Sequence, residues 1–462
     1  VRTSIRRPAH APRSTATAVR RPAFRAAAAL GVVGVLALSG CGGTTLDNIT
    51  VGPGKGWPTT FHDGRNSAAS PVTGSRHLAL RWSRPIGGPA AAAATVGPDG
   101  EVFVTTHIDT GCIGQPGGIG ALFGFQMPTG RKRFCDPLGP DAMYAASAID
   151  GATNVYVGDD GGVYSMNNIG QPRWRTPVAG VPISVQFTSD SHVLTVTQSG
   201  QVDVLNRQTG DRMVPTFQLL GWPNFLAHPD LPLPPDGQGL PDCATGGPQC
   251  PVANVSAIDA ASGRFYATVW RPGSPTASLV ALRYADKQIR QEWSADILVN
   301  GSATSPALSP DGKTVYVGDN SDRLIAVDAS DGHPKWVQPL GFSPQGAISE
   351  QGGLLIPGGD DGHLMALHDK GTSAEIAWER KDLQLSGQPV QSAGSTGYVV
   401  SPMGGALNLV TFDTSTGSTV ASAVLPDAQG TTTGTAIGAK GQVVVTTRVG
   451  EIYVFKPDRE SR

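Results

Sequence analysis

Four cysteines, two Asp-Asp turns and scattered histidines are the residues of this 462-residue chain whose types could support chemistry. Cys112, Cys135, Cys243 and Cys250 can build a four-sulfur zinc site or two disulfides, and the lack of any C-x-x-C spacing argues against zinc. Of the three possible pairings, Cys112–Cys135 with Cys243–Cys250 is favoured, since each bond would staple one insertion. Gly158-Asp159-Asp160-Gly161 and Gly359-Asp360-Asp361-Gly362 lack the oxygen-ligand ladder of a calcium loop, and Asp and Gly are what a tight turn selects. His62, His77, His107, His192, His228, His333, His363 and His368 form neither H-x-x-x-H nor HExxH, so no metal site is nominated. His363 and His368 belong to one hairpin, but their odd spacing places them on opposite faces of a strand. No G-x-S-x-G nucleophile elbow occurs. Glycosidic cleavage requires two facing carboxylates, whereas Glu292, Glu350, Glu375 and Glu379 read as turn or outer-strand residues. Enzyme activity is therefore not expected.

The N-terminus reads as an export signal, to be set apart from the fold. Arg2, Arg6, Arg7, Arg13, Arg20, Arg21 and Arg25 form a basic region without acidic residues, and the apolar run 26–38 follows. The run ends in Leu38-Ser39-Gly40-Cys41, which resembles the bacterial lipobox, whose cysteine is acylated and becomes the new N-terminus. Residues 1–40 are thus expected to be a signal peptide and 41–56 a Gly/Thr/Pro tether from lipidated Cys41. Arg20-Arg21 raises a twin-arginine route, with Phe24 one residue late for it. Without residues 1–40, Lys and Arg fall from 35 to 28 against 37 Asp and Glu, a net charge of about −9. An acidic exported chain is a poor nucleic-acid binder. No second apolar stretch is long enough to span a bilayer, so the membrane is reached through the lipid, and an oxidising compartment fits the disulfides.

The elements that carry these residues repeat. Thr314–Asp319, then Arg323–Val327, Asp328, Gly332 and Trp336 read as strand, turn, strand, turn and a strand with a tryptophan. Val155–Asp159, Gly162–Met166, Gly170 and Trp174 restate the pattern 160 residues earlier, four periods of about 40, the spacing of propeller blades. Leu324, Leu364, Leu407 and Ile452 take one place in successive units. Asp99-Gly100, Asp150-Gly151 and Asp311-Gly312 are expected at one recurrent hairpin, and Thr129-Gly130, Thr209-Gly210, Asp331-Gly332 and Thr416-Gly417 at another, with glycine supplying positive φ. Eight units follow, with seven the alternative count. The last unit lacks a fourth strand, while a strand with Trp82 at 80–86 precedes the first. If that strand completes the last blade, the ring closes and no sheet edge is left open. The expected fold is an all-β eight-bladed propeller over 57–458, with insertions at 108–120 and 221–251 and a short tail at 459–462.

Ala326-x-Asp328-x-x-x-Gly332-x-x-x-Trp336 resembles the tryptophan-docking motif of the pyrroloquinoline-quinone (PQQ)-type propellers. The resemblance implies that each tryptophan stacks on the next blade's backbone; Trp174, Trp293, Trp378 and Trp82 keep the aromatic, and Phe134 stands in once. Trp57-Pro58, Phe61, Asp63 and Arg65-Asn66 resemble the segment that precedes such propellers and packs on their outside. One branch of this family comprises quinoprotein dehydrogenases, which hold PQQ between a tryptophan floor and a disulfide of adjacent cysteines, with calcium on Glu, Asn and Asp. No Cys-Cys pair or such calcium set is visible here. The other branch is non-enzymatic, typified by the propeller lipoprotein of the outer-membrane β-barrel assembly machine, and the lipobox and chain length fit it better.

The insertion 221–251 is the most informative irregularity, because long loops in compact repeats tend to be functional. Its prolines stiffen it, and Trp222, Phe225 and Leu226 are candidate anchors for a partner; the alternative is a cap over one end of the channel. The sequence thus predicts a monomeric, lipid-anchored propeller at the outer face of the cell membrane. It would bind a protein partner without cofactor or catalysis. The alternatives are a PQQ- and calcium-dependent or sugar-active enzyme working in the central funnel, or a sensor of a cell-wall glycan or peptide.

Overall fold

The computed structural model describes residues 56–108, 112, 119–145, 147–221 and 239–458. Short Val/Ile/Leu/Tyr-rich runs cannot each bury two faces alone, so they assemble as antiparallel sheets that stack around an axis. Eight such blades form, at 95–138, 148–177, 182–218, 257–298, 307–339, 349–384, 390–424 and 432–457, numbered here 1 to 8. Blade 5 shows the plan, running outward from the axis as Ala307–Leu308, Thr314–Asp319, Arg323–Asp328 and Pro334–Pro339. Its second strand is buried along its whole length, because blades cover both faces, whereas its outermost strand alternates toward solvent. Leu324, Leu364, Leu407 and Ile452 each stand second in the third strand of their blades.

Blade 8 supplies three strands of its own, and Leu78–Pro85 pairs antiparallel with Glu451–Pro457 as its fourth. Chain start and chain end are thereby stitched into one sheet. Aromatic docking links blades further. A Cβ on Gly130, Gly210, Gly332 or Gly417 would meet the ring of Trp82, Trp174, Trp293 or Trp378 of the preceding blade at 2.5–2.7 Å, so only glycine lets the indole lie on the turn. Each of these four indoles donates to a backbone carbonyl of the blade it lies on, of Met127, Arg207, Ala329 and Thr414. Trp336, which pairs with Ala326, donates instead to the Asp369 carboxylate at 2.9 Å, and Phe134 covers Gly170. Within the Ala326–Trp336 motif the parts serve different interfaces: Gly332 receives Trp293 of blade 4, and Trp336 reaches blade 6. Asp328 accepts Ser330 N–H and lies 3.4 Å from the Lys335 ammonium, shaping the turn itself.

The structure corrects three expectations. Gly100 and Gly312 have positive φ, but in the matching hairpin of blade 2 the left-handed residue is Thr153, not Gly151, because the Asp150 carboxylate ties down the N–H groups of Ala152 and Asn154. Glu350 lies on the innermost strand of blade 6 and is 1% exposed. The third correction concerns the segment before the ring. It does not pack on the outside; it plugs the axis. Trp57 pairs with Val96 of blade 1, and the carbonyls of Pro58, Gly64, Arg65, Ser67 and Ala68 accept N–H bonds from Ile149, Ile258, Leu308, Glu350 and Gln391 on the innermost strands of blades 2, 4, 5, 6 and 7. Gln186 of blade 3 donates to the Asn66 side chain. Ala69–Thr73 then adds a parallel strand to the inner edge of blade 7 before the chain leaves for blade 8.

Candidate functional site: a funnel closed at one end

Each innermost strand ends at a hairpin on the plugged face, so the opposite face carries the connections between blades. The plug is rigid for local reasons. The Asp63 carboxylate accepts the N–H groups of Arg65 and Ser67, both at 3.0 Å, and the Ser67 hydroxyl at 2.9 Å, folding the segment into a knot. Burial by itself would raise the Asp63 carboxyl, but His62, Arg65 and the Ser67 N–H outweigh it and hold the group below the usual carboxylate range. The Arg65 guanidinium reaches on to Glu350 at 3.5 Å, which explains a carboxylate on an inner strand. Asn66 donates to the carbonyls of Val255 and Pro306 at 3.0 and 2.9 Å.

Above the plug, the axis opens into a funnel of about 150 Å³. Thr60 and Phe61 of the plug form part of its floor, and its wall is built from small and neutral polar groups, among them Ala91–Ala93, Asn254, Ser305, Gln345 and Gln388. Gln388 uses its carbonyl to accept Ala347 N–H at 2.7 Å, which holds the amide in place. Arg448 is the cation of the lining, and it faces Asp360 at 3.6 Å. Tyr144 also lines it, its phenol raised by burial and by nearby Asp141. Among the described residues neither a carboxylate nor a tryptophan is present in this lining, so these residues do not supply the tryptophan floor and carboxylate calcium set that the resemblance to quinoprotein enzymes implies. Among the described residues no group of three or more His, Cys, Asp or Glu is arranged to hold a metal ion.

Both insertions arise on the funnel face. Cys112 of the 108–120 insertion is bonded to Cys135 on the outermost strand of blade 1, and Cys243 to Cys250 in the second insertion. The stapled turn at 239–250 lies across the mouth. Leu240, Cys243 and Cys250 share a buried cluster with Leu138, Ala142 and Ala145 at the blade 1–2 junction, while the Thr245 carbonyl accepts Asn320 of blade 5. This part of the insertion is a cap. Trp222, Phe225 and Leu226 lie outside the described residues, as does Cys41. Beside the mouth, Asp160 accepts Asp141 N–H at 2.9 Å, and Asp159 accepts Gly139 N–H at 3.0 Å, so the Asp-Asp hairpin clamps the blade 1–2 connection. Burial, reinforced by the Asp141 carboxylate, pushes the Asp160 carboxyl up to about 7. Of the seven exposed large apolar residues among the described ones, Met403, Val424 and Val449 are 38%, 52% and 48% exposed in blades 7 and 8, with Ile169, Val299, Val337 and Ile376 elsewhere on the ring. Asn408, the cross-strand partner of Val424, donates to the Met403 carbonyl, and a Cβ on Gly430 would lie 3.3 Å from Val449. No sequence pattern marks this shelf, since its residues come from separate turns.

Comparison with known proteins places this architecture. Residues 252–460 match the family described as outer membrane protein assembly factor BamB. Protein Rv3035 of Mycobacterium tuberculosis is 34% identical over 433 residues, covering 91% of this chain and all of that protein. BamB from Moraxella catarrhalis superposes with a TM-score of 0.53 at 15% identity, covering 82% of this chain and all of BamB. Quinohemoprotein alcohol dehydrogenase from Comamonas testosteroni gives a TM-score of 0.60 at 14% identity, over 88% of this chain and 81% of the enzyme. At those identities the two structures share the fold alone. The full-length match to Rv3035 carries more, and the chain belongs to its family of PQQ-like β-propeller proteins.

Proposed function

We propose that the chain is an extracytoplasmic, lipid-anchored propeller that serves as a protein-binding scaffold, docking its partner on the funnel face without bond chemistry. The observation that carries this reading is the exposed shelf of Met403, Val424 and Val449 beside a shallow funnel that is blind at the plug. A group of exposed apolar residues beside polar loops is the pattern of a partner surface. The funnel, by contrast, offers about 150 Å³ where small-molecule sites span about 300–1,000 Å³. Support for envelope location comes from the lipobox-like run at Cys41 and from the BamB family match over 252–460. Trp222, Phe225 and Leu226 are proposed to extend the partner surface.

The test is site-specific photocrosslinking in the native cell. A photoreactive residue at Met403, Val449 or Trp222 should capture one discrete envelope protein, and one at Ile376 on the outer wall of blade 6 should not. Val424→Glu should abolish capture at Met403 by at least about tenfold, the loss of one well-placed apolar contact. Capture from both positions alike, or from neither, would sink the scaffold reading. Radiolabelled palmitate incorporation that disappears on Cys41→Ser tests the anchor separately.

A further inference from the structure

The outer wall of the ring is electrically divided. On the outermost strands of blades 8, 1 and 2, Arg81, Arg84, Lys132, Arg133, Arg173 and Arg175 stand against the single carboxylate of Asp136. On those of blades 4 to 7, Arg290, Lys335, Arg380 and Lys381 meet Glu292, Asp296, Glu375, Glu379 and Asp382. The excess of positive charge is therefore local, in a chain whose formal net charge is −2.

Its exposed part gathers at one corner of the plugged face. Arg81 donates to the Pro128 carbonyl, which brings the first turn of the closing strand onto the hairpin that leads to Arg131 and Lys132. Lys456 lies on the neighbouring strand, where it pairs with Ala79, and Lys440 occupies the hairpin whose Gly441 sits against Pro457. Arg81, Arg131, Lys132, Lys440 and Lys456 are all exposed, and among the described residues none of them has a carboxylate within salt-bridge reach. Arg76 and Arg133 are taken by Asp413 and Glu101. Asp99 and Asp458 are the exposed carboxylates of the same corner.

The described chain also begins here. Trp57 pairs with Val96, Gly56 packs on Gly97, and that hairpin's Gly100 lies against Met127, one residue before Pro128. Gly56 thus stands beside the basic corner. From this juxtaposition we infer that the corner of blades 8 and 1 seats on the phosphate headgroups of an anionic bilayer, turning the funnel face away from the membrane. The inference rests on the anchored reading above, because one lipid chain alone holds a protein only reversibly and a basic patch supplies the second attachment. Each Lys or Arg near such a surface contributes about a fivefold gain in binding, and the gain is screened by salt.

The test uses the compact unit, residues 45–462, which carries no lipid. Sedimentation with vesicles of phosphatidylglycerol and phosphatidylcholine should show binding at low salt that vanishes on pure phosphatidylcholine and at about 0.5 M salt. The triple variant Arg131→Glu, Lys132→Glu, Lys456→Glu should bind the anionic vesicles at least about 100-fold more weakly. Reversal of Lys335, Lys370 and Lys381 on the opposite wall should change binding less than about threefold, with thermal unfolding confirming that both variants fold. Equal binding to neutral vesicles, equal effects of the two triple variants, or tighter binding to a DNA duplex than to anionic vesicles would each overturn the inference. Palmitate incorporation at Cys41 with failed vesicle binding would remove this inference alone; vesicle binding without acylation would remove the anchor and leave the patch.

Discussion

Gly332 and Gly341 have nearly the same backbone, with φ of 82° and 80°, but different surroundings. A Cβ at Gly332 would meet the Trp293 ring at 2.7 Å, while one at Gly341 would meet nothing within 4 Å. Gly341→Ala should therefore cost about 1 kcal/mol of backbone strain, and Gly332→Ala about 3 kcal/mol because the indole is also displaced. Urea unfolding of the two variants separates docking from strain, and equal losses would refute the docking account. Asp160 permits a test by pH. Its folded carboxyl titrates at about 7, above the ordinary carboxylate range, so between about pH 4 and 7 the folded chain keeps a proton that the unfolded chain has released. Stability contributed by this group is full below that window and is lost as pH rises through it. Asp160→Asn should exceed the native chain by about 1 kcal/mol at pH 8, after allowance for solvent screening, and match it at pH 3.5. Burial is the main cause of the effect and the Asp141 and Asp159 carboxylates add to it, while Asn keeps the carbonyl that accepts Asp141 N–H. The turn glycines were legible in the sequence because their spacing recurs, but which indole each receives was not, since the two lie on different blades. Glu350 was not, because its reason is Arg65, which is 285 residues away in the chain.

At the scale of elements, strands and plug differ in how they announce themselves. A blade strand bonds to its sequence neighbours, so its length, turns and apolar run appear together within about 40 residues. The closing strand Leu78–Pro85 could be matched to the unfinished blade 8 by the same bookkeeping of parts. The plug has no such signature. Between Trp57 and Ala68 its polar groups go to the inner strands of seven different blades, so no local period is imposed on it. Asn66 is its keystone: buried, it donates to Val255 and Pro306 and accepts from Gln186. Asn66→Ala would remove the donor from the Val255 and Pro306 carbonyls inside the ring, while the Gln186 amide keeps its bond to the Ser256 carbonyl, costing about 3 kcal/mol. The destabilisation should be accompanied by faster amide exchange at Ile258, Leu308 and Glu350, whose N–H groups bond to the plug, and not at Val317 in the middle of blade 5. Uniform acceleration across the blades would show instead that plug and ring unfold as one unit.

For the whole molecule, closure by strand and plug makes a ring whose axis is blocked at one face and open at the other. The fold alone does not choose a function, since BamB and a quinohemoprotein alcohol dehydrogenase share it. A quinone cofactor needs a flat aromatic floor, an opposing group and a cation held by carboxylates; here the floor is Phe61 with small residues, and Arg448 is the charged group of the lining. The disulfide at the mouth joins Cys243 to Cys250, not adjacent cysteines, so it cannot form the strained ring that covers the quinone in the enzymes the sequence resembles. Incubating residues 45–462 with PQQ and calcium should accordingly give no protein-bound chromophore after desalting and no shift in Tm beyond about 1 °C. A ligand at 100 times its Kd adds about 2.7 kcal/mol, several degrees for a domain of this size, so even modest affinity would be visible. A retained chromophore with a calcium-dependent rise in Tm would mean that residues outside the described ones complete a site the described lining lacks. Trp222 would then be the residue to substitute first, and the scaffold reading would give way to chemistry in the funnel.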